Sequence, residues 1–326
     1  SVHIAELQNS KNGTSGTNIQ MNGSQKKNNT DNIVYMGRNL PVVSVIDITW
    51  SMLLSCNYSC EYCSIRSHDK QYATPDTVKK TIAFIEKSPQ EIKNVTLFGG
   101  EPTIHHDIIH AVDSLSKFCT NVYVFTNLSC SKSMIKDIKD NGGKFTLTYH
   151  PDMISEDIFL KKLDYLLSIG GDIQFLNIMM YKAKEDEIRK VQKYCIDHGV
   201  VHRFPPILGN SIKLRDFVQS IRYTNRKDVR TTKDVMVLYD DMRRALLNKQ
   251  ECKLLNLFDF KGWMCWAGVQ KLFISHLGDV YRCKHDDKSF ICKVTEEKYP
   301  EIKPWICPYD SCNCYYSIFK MNTKTI

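Results

Sequence analysis

The sequence predicts an α/β fold in which a mainly parallel sheet is covered by helices. From Val42 onward, short apolar runs of the length of buried strands alternate with segments of helical periodicity. Six such strand–helix units follow one another through short loops, and several of the apolar runs end in a polar or glycine-bearing motif. Strands that alternate with helices form βαβ units, so their strands are expected to lie parallel in one sheet.

Helix starts and stops support these units. Thr74 is a predicted N-cap followed by Pro75 in the first turn, and Ser131 and Ser155 are predicted N-caps of two later helices. Gly142 and Gly143 close the helix that begins at Ser131. The predicted strands are 42–54, 95–98, 122–125, 145–149, 173–180 and 200–204, and the predicted helices are 74–87, 106–118, 131–140, 155–167 and 185–198.

The loop after the first strand carries three cysteines, Cys56, Cys60 and Cys63, in a C-x-x-x-C-x-x-C pattern. Thiolates are soft ligands that suit iron in a cubane cluster, and three of them leave one iron open for another ligand. The alternative is structural zinc. Zinc usually takes four ligands from two knuckles, and no second knuckle lies nearby in the sequence.

Two further motifs follow in order: Leu97-Phe98-Gly99-Gly100-Glu101-Pro102 and Val124-Phe125-Thr126-Asn127. With the cysteine spacing and Tyr62 before the third cysteine, they resemble the radical S-adenosylmethionine (radical SAM) family over residues 42–208. The resemblance implies a partial (β/α)6 barrel and a [4Fe-4S] cluster held by Cys56, Cys60 and Cys63. It also implies that SAM chelates the fourth iron and is reductively cleaved to a 5′-deoxyadenosyl radical that abstracts hydrogen from a substrate.

The resemblance also implies which residues contact SAM. Glycines let a backbone approach a ligand closely, and a carboxylate such as Glu101 could assist in binding the methionine ammonium. A histidine such as His150 at a strand end is more often structural, and Asn177 and Arg203 are comparable candidates for substrate contacts. No catalytic residue is predicted. The predicted cofactor-binding residues are Tyr62, Gly99, Gly100, Glu101, Pro102, Thr126, Asn127 and His150.

A second group of cysteines lies near the C-terminus. Cys265, Gly278 and Cys283 are spaced as in the SPASM and Twitch auxiliary-cluster domains, and residues 274–281 read as a β-hairpin. That resemblance implies one auxiliary [4Fe-4S] cluster. Its further ligands are expected among Cys307, Cys312 and Cys314, whose C-x4-C-x-C spacing departs from the full SPASM pattern. A zinc ribbon is the alternative, because four thiolates serve either metal. Cys119, Cys130 and Cys195 are predicted to be buried free thiols.

Composition divides the chain into four predicted segments. Residues 1–40 are polar and are expected to be a disordered tail, 41–209 the barrel, 210–262 a basic helical connector, and 263–326 the auxiliary-cluster domain. Within the connector, Val235–Asn248 has helical spacing. The net charge of the chain is +8. The segment from Lys213 to Lys253 contains eleven Lys or Arg residues and six Asp or Glu residues, so it is basic. This segment suits an anionic substrate or a solvated helix face.

The sequence favours a cytoplasmic protein without a membrane span. No run of 18 apolar residues occurs, and the thirteen cysteines cluster with ligand spacing rather than in a small secreted framework. The expected partners are a small-molecule substrate and an electron donor such as flavodoxin or ferredoxin. Nucleic acid is the weaker expectation, because aromatic residues do not interleave with the basic ones.

The expected activity is hydrogen abstraction from a small polar molecule, such as a sugar, an aminosugar or a nucleotide derivative, leading to oxidation, epimerisation or rearrangement. One alternative is a peptide maturase that forms a crosslink or an epimer with the help of a separate recognition protein. Another, of a different class, is a non-catalytic iron–sulfur or zinc protein that binds RNA through residues 213–253.

Overall fold

The structure, a computed structural model, describes residues 2–5, 45–63, 71–205, 235–239, 244–247, 261–262, 264–283, 288–309 and 320–321. They fall into two compact units. The larger, called the sheet unit below, comprises Val42–Thr232 and Ala267–Pro304, and the smaller comprises Ser1–Pro41, Lys233–Trp266 and Trp305–Ile326. The boundaries predicted from composition stay predictions.

Strands and helices are numbered in chain order. The helices are α1 (Pro75–Glu86), α2 (Ile108–Ser116), α3 (Lys132–Asp140), α4 (Glu156–Ser168) and α5 (Glu185–Asp197), with 3-10 turns at Pro102–Ile104 and Lys182–Lys184. The strands are β1 (Val2–Ala5), β2 (Val45–Leu53), β3 (Glu91–Gly99), β4 (Asn121–Thr126), β5 (Gly143–Tyr149), β6 (Ile173–Ile178), β7 (His202–Arg203), β8 (Val235–Tyr239), β9 (Arg244–Leu247), β10 (Met264–Cys265), β11 (Lys271–Ile274), β12 (Asp279–Tyr281), β13 (Phe290–Lys293), β14 (Trp305–Ile306) and β15 (Lys320–Met321).

A nine-stranded sheet in the order β13-β12-β11-β2-β3-β4-β5-β6-β7 forms the sheet unit. The six strands β2 to β7 lie parallel and in sequence order. Helices α1 to α5 connect strands in this run, as βαβ units require. The order ends at β13 and β7 without closing, as in a partial barrel, and the predicted α/β class is confirmed.

The core lies between the helices and one face of the sheet. In the first half of β2, Ile46, Ile48 and Trp50 are at most 1% exposed, whereas Asp47 between them is exposed and Thr49 is half-buried. This alternation follows from the period of two along a strand, and burial of the apolar side chains supplies the main stabilising free energy.

Local sequence signals set the helix ends. Thr74 Oγ1 accepts a hydrogen bond from the Thr77 amide at 3.1 Å, and Ser131 Oγ accepts one from the Met134 amide at 3.2 Å. Each bond satisfies an amide that has no partner within the helix. Ser155 occupies the N-cap position of α4 without a side-chain cap bond. Gly142, with φ of +86°, turns the chain from α3 into β5.

The predicted hairpin near the C-terminus extends this same sheet. β11 pairs antiparallel with β12 through a turn at Gly278, whose φ is +79°. β11 also pairs parallel with β2, with Lys271 opposite Asp47 and Ile274 opposite Trp50. The hairpin therefore borders the strand that leads into the cysteine loop.

Two expectations about the rest of the chain are wrong. The described residues of the predicted helix Val235–Asn248 are not helical: 235–239 and 244–247 form β8 and β9, which pair antiparallel. The β-branched residues Val235 and Val237 suit a strand, and periodicity alone does not separate a short apolar strand from a buried helix. Val2–Ala5, expected within a disordered tail, forms β1 and pairs with β8, while residues 6–40 lie outside the described residues.

The smaller unit also holds an antiparallel sheet in the order β14-β10-β15. Among the helices of the described residues, none combines the length and apolar character needed to cross a lipid bilayer.

Candidate metal centre

Four neighbouring strands bring the predicted motifs to one edge of the sheet. The cysteine loop follows β2, Gly99 ends β3, Thr126 ends β4, and His150 follows β5. Because β2 to β5 are parallel neighbours, their carboxyl ends meet at the same edge. The elements are therefore placed as the sequence predicted, and the ligand roles of individual side chains stay predictions.

The three cysteines of the loop, Cys56, Cys60 and Cys63, are free and half-buried. Burial raises the pKa of the Cys56 thiol, and the charges of Glu101 and Cys63 raise it further, whereas a hydrogen bond from the Tyr58 amide opposes them. Burial, with the charges of Asp152, Cys63 and Cys56, raises the pKa of Cys60 to about 12. Without a metal these two thiols hold their protons, so metal binding must release them. Three sulfurs on one loop fit a [4Fe-4S] cluster with three protein ligands.

Gly99 packs against the last residue of β2, and Gly100 packs against the backbone at the start of the cysteine loop. A Cβ on Gly99 would lie 2.0 Å from the Leu53 carbonyl oxygen, and one on Gly100 would lie 1.9 Å from the Ser55 carbonyl oxygen. The Glu101 amide also donates a hydrogen bond to that Ser55 oxygen at 3.0 Å. Glycine is thus required here for contact between two backbone segments, a reason that the sequence alone does not give.

Glu101 is buried and accepts four hydrogen bonds from protein donors. Its Oε1 accepts hydrogen bonds from the Thr103 amide at 3.1 Å, the Thr103 hydroxyl at 2.6 Å and the Thr126 hydroxyl at 2.7 Å, and its Oε2 accepts one from the Asn127 amide at 2.7 Å. Burial raises the pKa of Glu101, and these hydrogen bonds partly offset that effect. Glu101 therefore joins the turn after β3, where Pro102 is also buried, to the end of β4.

Asn127 connects this turn to the cysteine loop. Its Nδ2 donates to Asn57 Oδ1 at 3.1 Å, and Asn57 Nδ2 donates to Ser129 Oγ at 2.8 Å. Between Asn127 and Ser129, Leu128 adopts a φ of +59°, an uncommon conformation for a residue with a side chain. The loop between the first two cysteines is thus tied to the motif at the end of β4.

His150 lies against the cysteine loop from the side of β5. Its Nδ1 is 3.4 Å from Cys60 Sγ and 3.0 Å from Tyr62 Oη. The Tyr62 hydroxyl donates to Asp152 Oδ1 at 2.7 Å. Burial lowers the pKa of His150 to about 4, and the charge of Asp152 only partly opposes this, so the imidazole is neutral near pH 7.

Sequence reasoning missed Asn57 and Asp152. Asn57 lies within the cysteine motif at a variable position, and Asp152 lies two residues after His150, so nearness to a predicted site residue was the available signal. Of the weaker candidates, Asn177 Nδ2 donates to Thr148 Oγ1 at 3.4 Å, and the Arg203 guanidinium lies 3.5 Å from the centroid of the Phe175 ring.

The C-terminal cysteines are placed only in part. Cys265, on β10, pairs with Trp305 of β14, and Cys307 follows that strand. Both cysteines are buried in the smaller unit. Cys283 belongs to the sheet unit and is half-buried, while Cys312 and Cys314 lie outside the described residues. None of the ten cysteines within the described residues forms a disulfide.

Comparisons with known proteins relate the chain to one superfamily. The sequence model described as the radical SAM superfamily matches residues 50–241. A 7-carboxy-7-deazaguanine synthase of Clostridium acetobutylicum is 32% identical over 147 residues, which are 41% of this chain and 65% of that protein. A probable GTP 3′,8-cyclase of Pyrococcus horikoshii is 27% identical over 100 residues, 30% of this chain and 32% of that protein. The chain thus spans less than two thirds of each of these relatives.

Solved structures share the fold at low sequence identity. SuiB of Streptococcus suis bound to S-adenosylmethionine has a TM-score of 0.56 and 15% identity, covering 78% of this chain and 64% of that one. Native anSMEcpe with bound AdoMet and Cp18Cys peptide has a TM-score of 0.52 and 14% identity, covering 77% of each chain. These likenesses concern the fold alone.

Proposed function

Because the chain belongs to the radical SAM superfamily, we propose that it is an enzyme that abstracts hydrogen from a small polar substrate after reductive cleavage of SAM. Members of this superfamily are enzymes that bind a [4Fe-4S] cluster and S-adenosylmethionine. Together these two groups supply a 5′-deoxyadenosyl radical, and the protein supplies binding, orientation and exclusion of water.

One observation carries the proposal: hydrogen bonds link the cysteine loop to the motifs that end β3 and β4. The Glu101 amide binds the Ser55 carbonyl, and Asn127 binds Asn57 between the first two cysteines. In the proposed enzyme, Cys56, Cys60 and Cys63 hold three irons. The backbone of Gly99 and Gly100, together with Tyr62, Pro102, Thr126, Asn127 and His150, orients the methionine and ribose of SAM, and Glu101 fixes the turn that carries them.

Anaerobic incubation with SAM and dithionite tests this activity. We expect 5′-deoxyadenosine from the reconstituted protein and none from Cys60→Ala. The matched control is Cys119→Ala, because Cys119 is a buried thiol between α2 and the start of β4, whereas the cysteine loop follows the end of β2. Wild-type protein that retains its iron and makes no 5′-deoxyadenosine would contradict the proposal and would favour the non-catalytic alternative.

For the substrate, we propose a nucleotide derivative within the class of small polar molecules. The names of the two sequence relatives include a deazaguanine and GTP. Arg203 lies at the C-terminal end of β7, where the several N–H donors of its planar guanidinium could bind a phosphate. We expect GTP to raise the melting temperature of the SAM-loaded protein, and UDP-glucose to do so less.

A peptide substrate is the second candidate. The observation in its favour is the shared fold with SuiB, a structure of which holds the precursor peptide SuiA. A peptide encoded beside the gene of this protein is the probe. Stabilisation by that peptide, with none by GTP or UDP-glucose, would replace the nucleotide proposal.

We also propose one auxiliary [4Fe-4S] cluster. Cys265 and Cys307, buried in the same unit, support this assignment, and Cys283, Cys312 and Cys314 are its further candidate ligands from the sequence. Anaerobic reconstitution should give about eight irons per chain for two cubanes and about four for Cys265→Ala. Stoichiometric zinc in place of the second set of irons would indicate a zinc ribbon instead.

A further inference from the structure

A connected group of four side chains lies beside the cysteine loop. Tyr62 and Cys60 come from the loop, and His150 and Asp152 come from the segment after β5. The Tyr62 hydroxyl donates to Asp152 Oδ1 at 2.7 Å, and His150 Nδ1 lies 3.0 Å from Tyr62 Oη and 3.4 Å from Cys60 Sγ. The Tyr62 and His150 rings are nearly parallel, at 10°, with centroids 6.0 Å apart.

The number of available protons fixes the direction of these hydrogen bonds. A carboxylate only accepts, so the single hydroxyl proton of Tyr62 is committed to Asp152. The Tyr62 oxygen can then only accept from His150, which requires a proton on Nδ1. A cysteine that carries iron has no proton and also only accepts. The Nδ1 proton is therefore shared between the Tyr62 oxygen and the Cys60 sulfur.

A hydrogen bond to a ligand sulfur changes the redox properties of a cluster. It draws electron density from the thiolate and so stabilises the reduced cluster, which carries one more negative charge. At 3.4 Å, His150 Nδ1 is within hydrogen-bonding distance of sulfur.

We propose that His150 donates a hydrogen bond from Nδ1 to Cys60 Sγ and thereby raises the reduction potential of the cluster. Tyr62 and Asp152 are positioning residues: Asp152 orients the Tyr62 hydroxyl, whose oxygen accepts from His150 Nδ1. The Cys60 thiolate accepts from the same Nδ1, so either acceptor alone favours the tautomer that carries the Nδ1 proton. The inference rests on the proposed function for the presence of the cluster. It gives His150 a role in how easily the cluster accepts the electron delivered by the external donor, and it adds Asp152 to the site.

The test is a potentiometric titration of the anaerobically reconstituted protein without SAM, followed by electron paramagnetic resonance. The signal of this cluster is the one lost in Cys60→Ala. We expect His150→Phe, with full iron, to titrate at a more negative potential than wild type. His150→Gln, whose amide can donate to the sulfur, should recover part of the difference. His198→Phe is the matched control, because His198 is an exposed histidine whose Nδ1 lies 2.9 Å from the Tyr194 carbonyl, and it should titrate as wild type.

Tyr62→Phe distinguishes the effect of the His150 imidazole on the reduction potential from that of the Tyr62 hydroxyl. Removing Oη leaves the sulfur as the acceptor of the Nδ1 proton within this group, so the potential should not fall. A fall as large as that of His150→Phe would assign the effect to the hydroxyl and overturn the proposal. An unchanged potential in His150→Phe, or failure of His150→Gln to recover any of its shift, would also overturn it.

A metal ion at Cys60, His150 and Asp152 is the competing explanation, since their ligand atoms lie within 4.8 Å of one another. If the isolated wild-type protein contains zinc and His150→Phe does not, the proposal is overturned and the metal-ion explanation is favoured. This test can fail independently of the proposed function. The reduction potentials of the cluster in wild type and variants can be compared whether or not the protein cleaves SAM.

Discussion

Replacing Gly100 by alanine tests the contact that sets the distance between the cysteine loop and the end of β3. The new Cβ would lie 1.9 Å from the Ser55 carbonyl oxygen, 2.3 Å from its carbon and 2.8 Å from the Cys56 nitrogen. All three are backbone atoms, so no side chain can move aside. To reach 3.0 Å, below which Cβ contacts essentially do not occur, the two segments must separate by about 1.1 Å.

This separation should affect stability and chemistry differently. Overpacking of this kind costs about 1–3 kcal/mol of unfolding free energy. The three thiols stay on one loop, so we expect iron to load as in wild type. The cluster would move with the loop relative to Asn127 and the glycine backbone, and a misplacement of about 1 Å costs roughly 100-fold in rate. Iron content, urea unfolding of the apoprotein and the rate of 5′-deoxyadenosine formation measure the three effects.

Gly170→Ala is the control for a general loss of stability. Gly170 has a φ of +74°, and a Cβ there meets nothing within 4 Å. The substitution should cost about 1–2 kcal/mol through backbone strain and leave SAM cleavage unchanged. If Gly100→Ala cleaves SAM at the wild-type rate, the backbone contact does not position the cluster and the reasoning fails.

Three further predictions concern buried groups. Glu101→Gln should lose about 1–3 kcal/mol of unfolding free energy in urea. The new NH2 group would oppose the Thr103 or the Asn127 backbone amide, so one buried donor would lose its acceptor. Glu86→Gln, at an exposed position, should lose none. Phe84→Ala should lose about 3–5 kcal/mol in the same assay, since Phe84 is 1% exposed and stacks on Tyr299 with centroids 5.0 Å apart; a loss below about 1 kcal/mol would contradict this packing. Burial raises the pKa of Cys195 to about 12, so about one thiol in ten thousand is ionised at pH 8. Iodoacetamide should therefore leave Cys195 unmodified until urea is added, as mass spectrometry can show, and folding stability should fall as the pH rises from about 9 towards 12.

The parts of the site that follow from local sequence could be predicted. The family identification is confirmed by the match over residues 50–241, and the α/β class is confirmed by the sheet order. Both rest on short-range signals, namely the spacing of Cys56, Cys60 and Cys63 and the alternation of strands with helices. Parallel neighbours then place the motif at Thr126 and the histidine after β5 at the same edge of the sheet.

Contacts between distant segments could not be predicted. The pairing of β11 with β2 joins residues 271 and 47, and no local pattern selects that partner. Periodicity predicts a helix over Val235–Asn248, where β8 and β9 form instead, because a short apolar segment fits both the helical and the strand period. Asp152 and Asn57 become part of the site only through Tyr62 and Asn127, to which they are hydrogen-bonded in the folded chain.

The position of β11 has a consequence for the order of folding. β2, which leads into the cysteine loop, lies between β3 and β11, and β11 emerges from the ribosome only after the six strands β2 to β7. Until then the backbone of β2 presents an open edge, and such edges recruit other chains. Synthesis that stalls before residue 271 should therefore leave an aggregation-prone intermediate, and chaperones that shield strand edges should matter most in this interval.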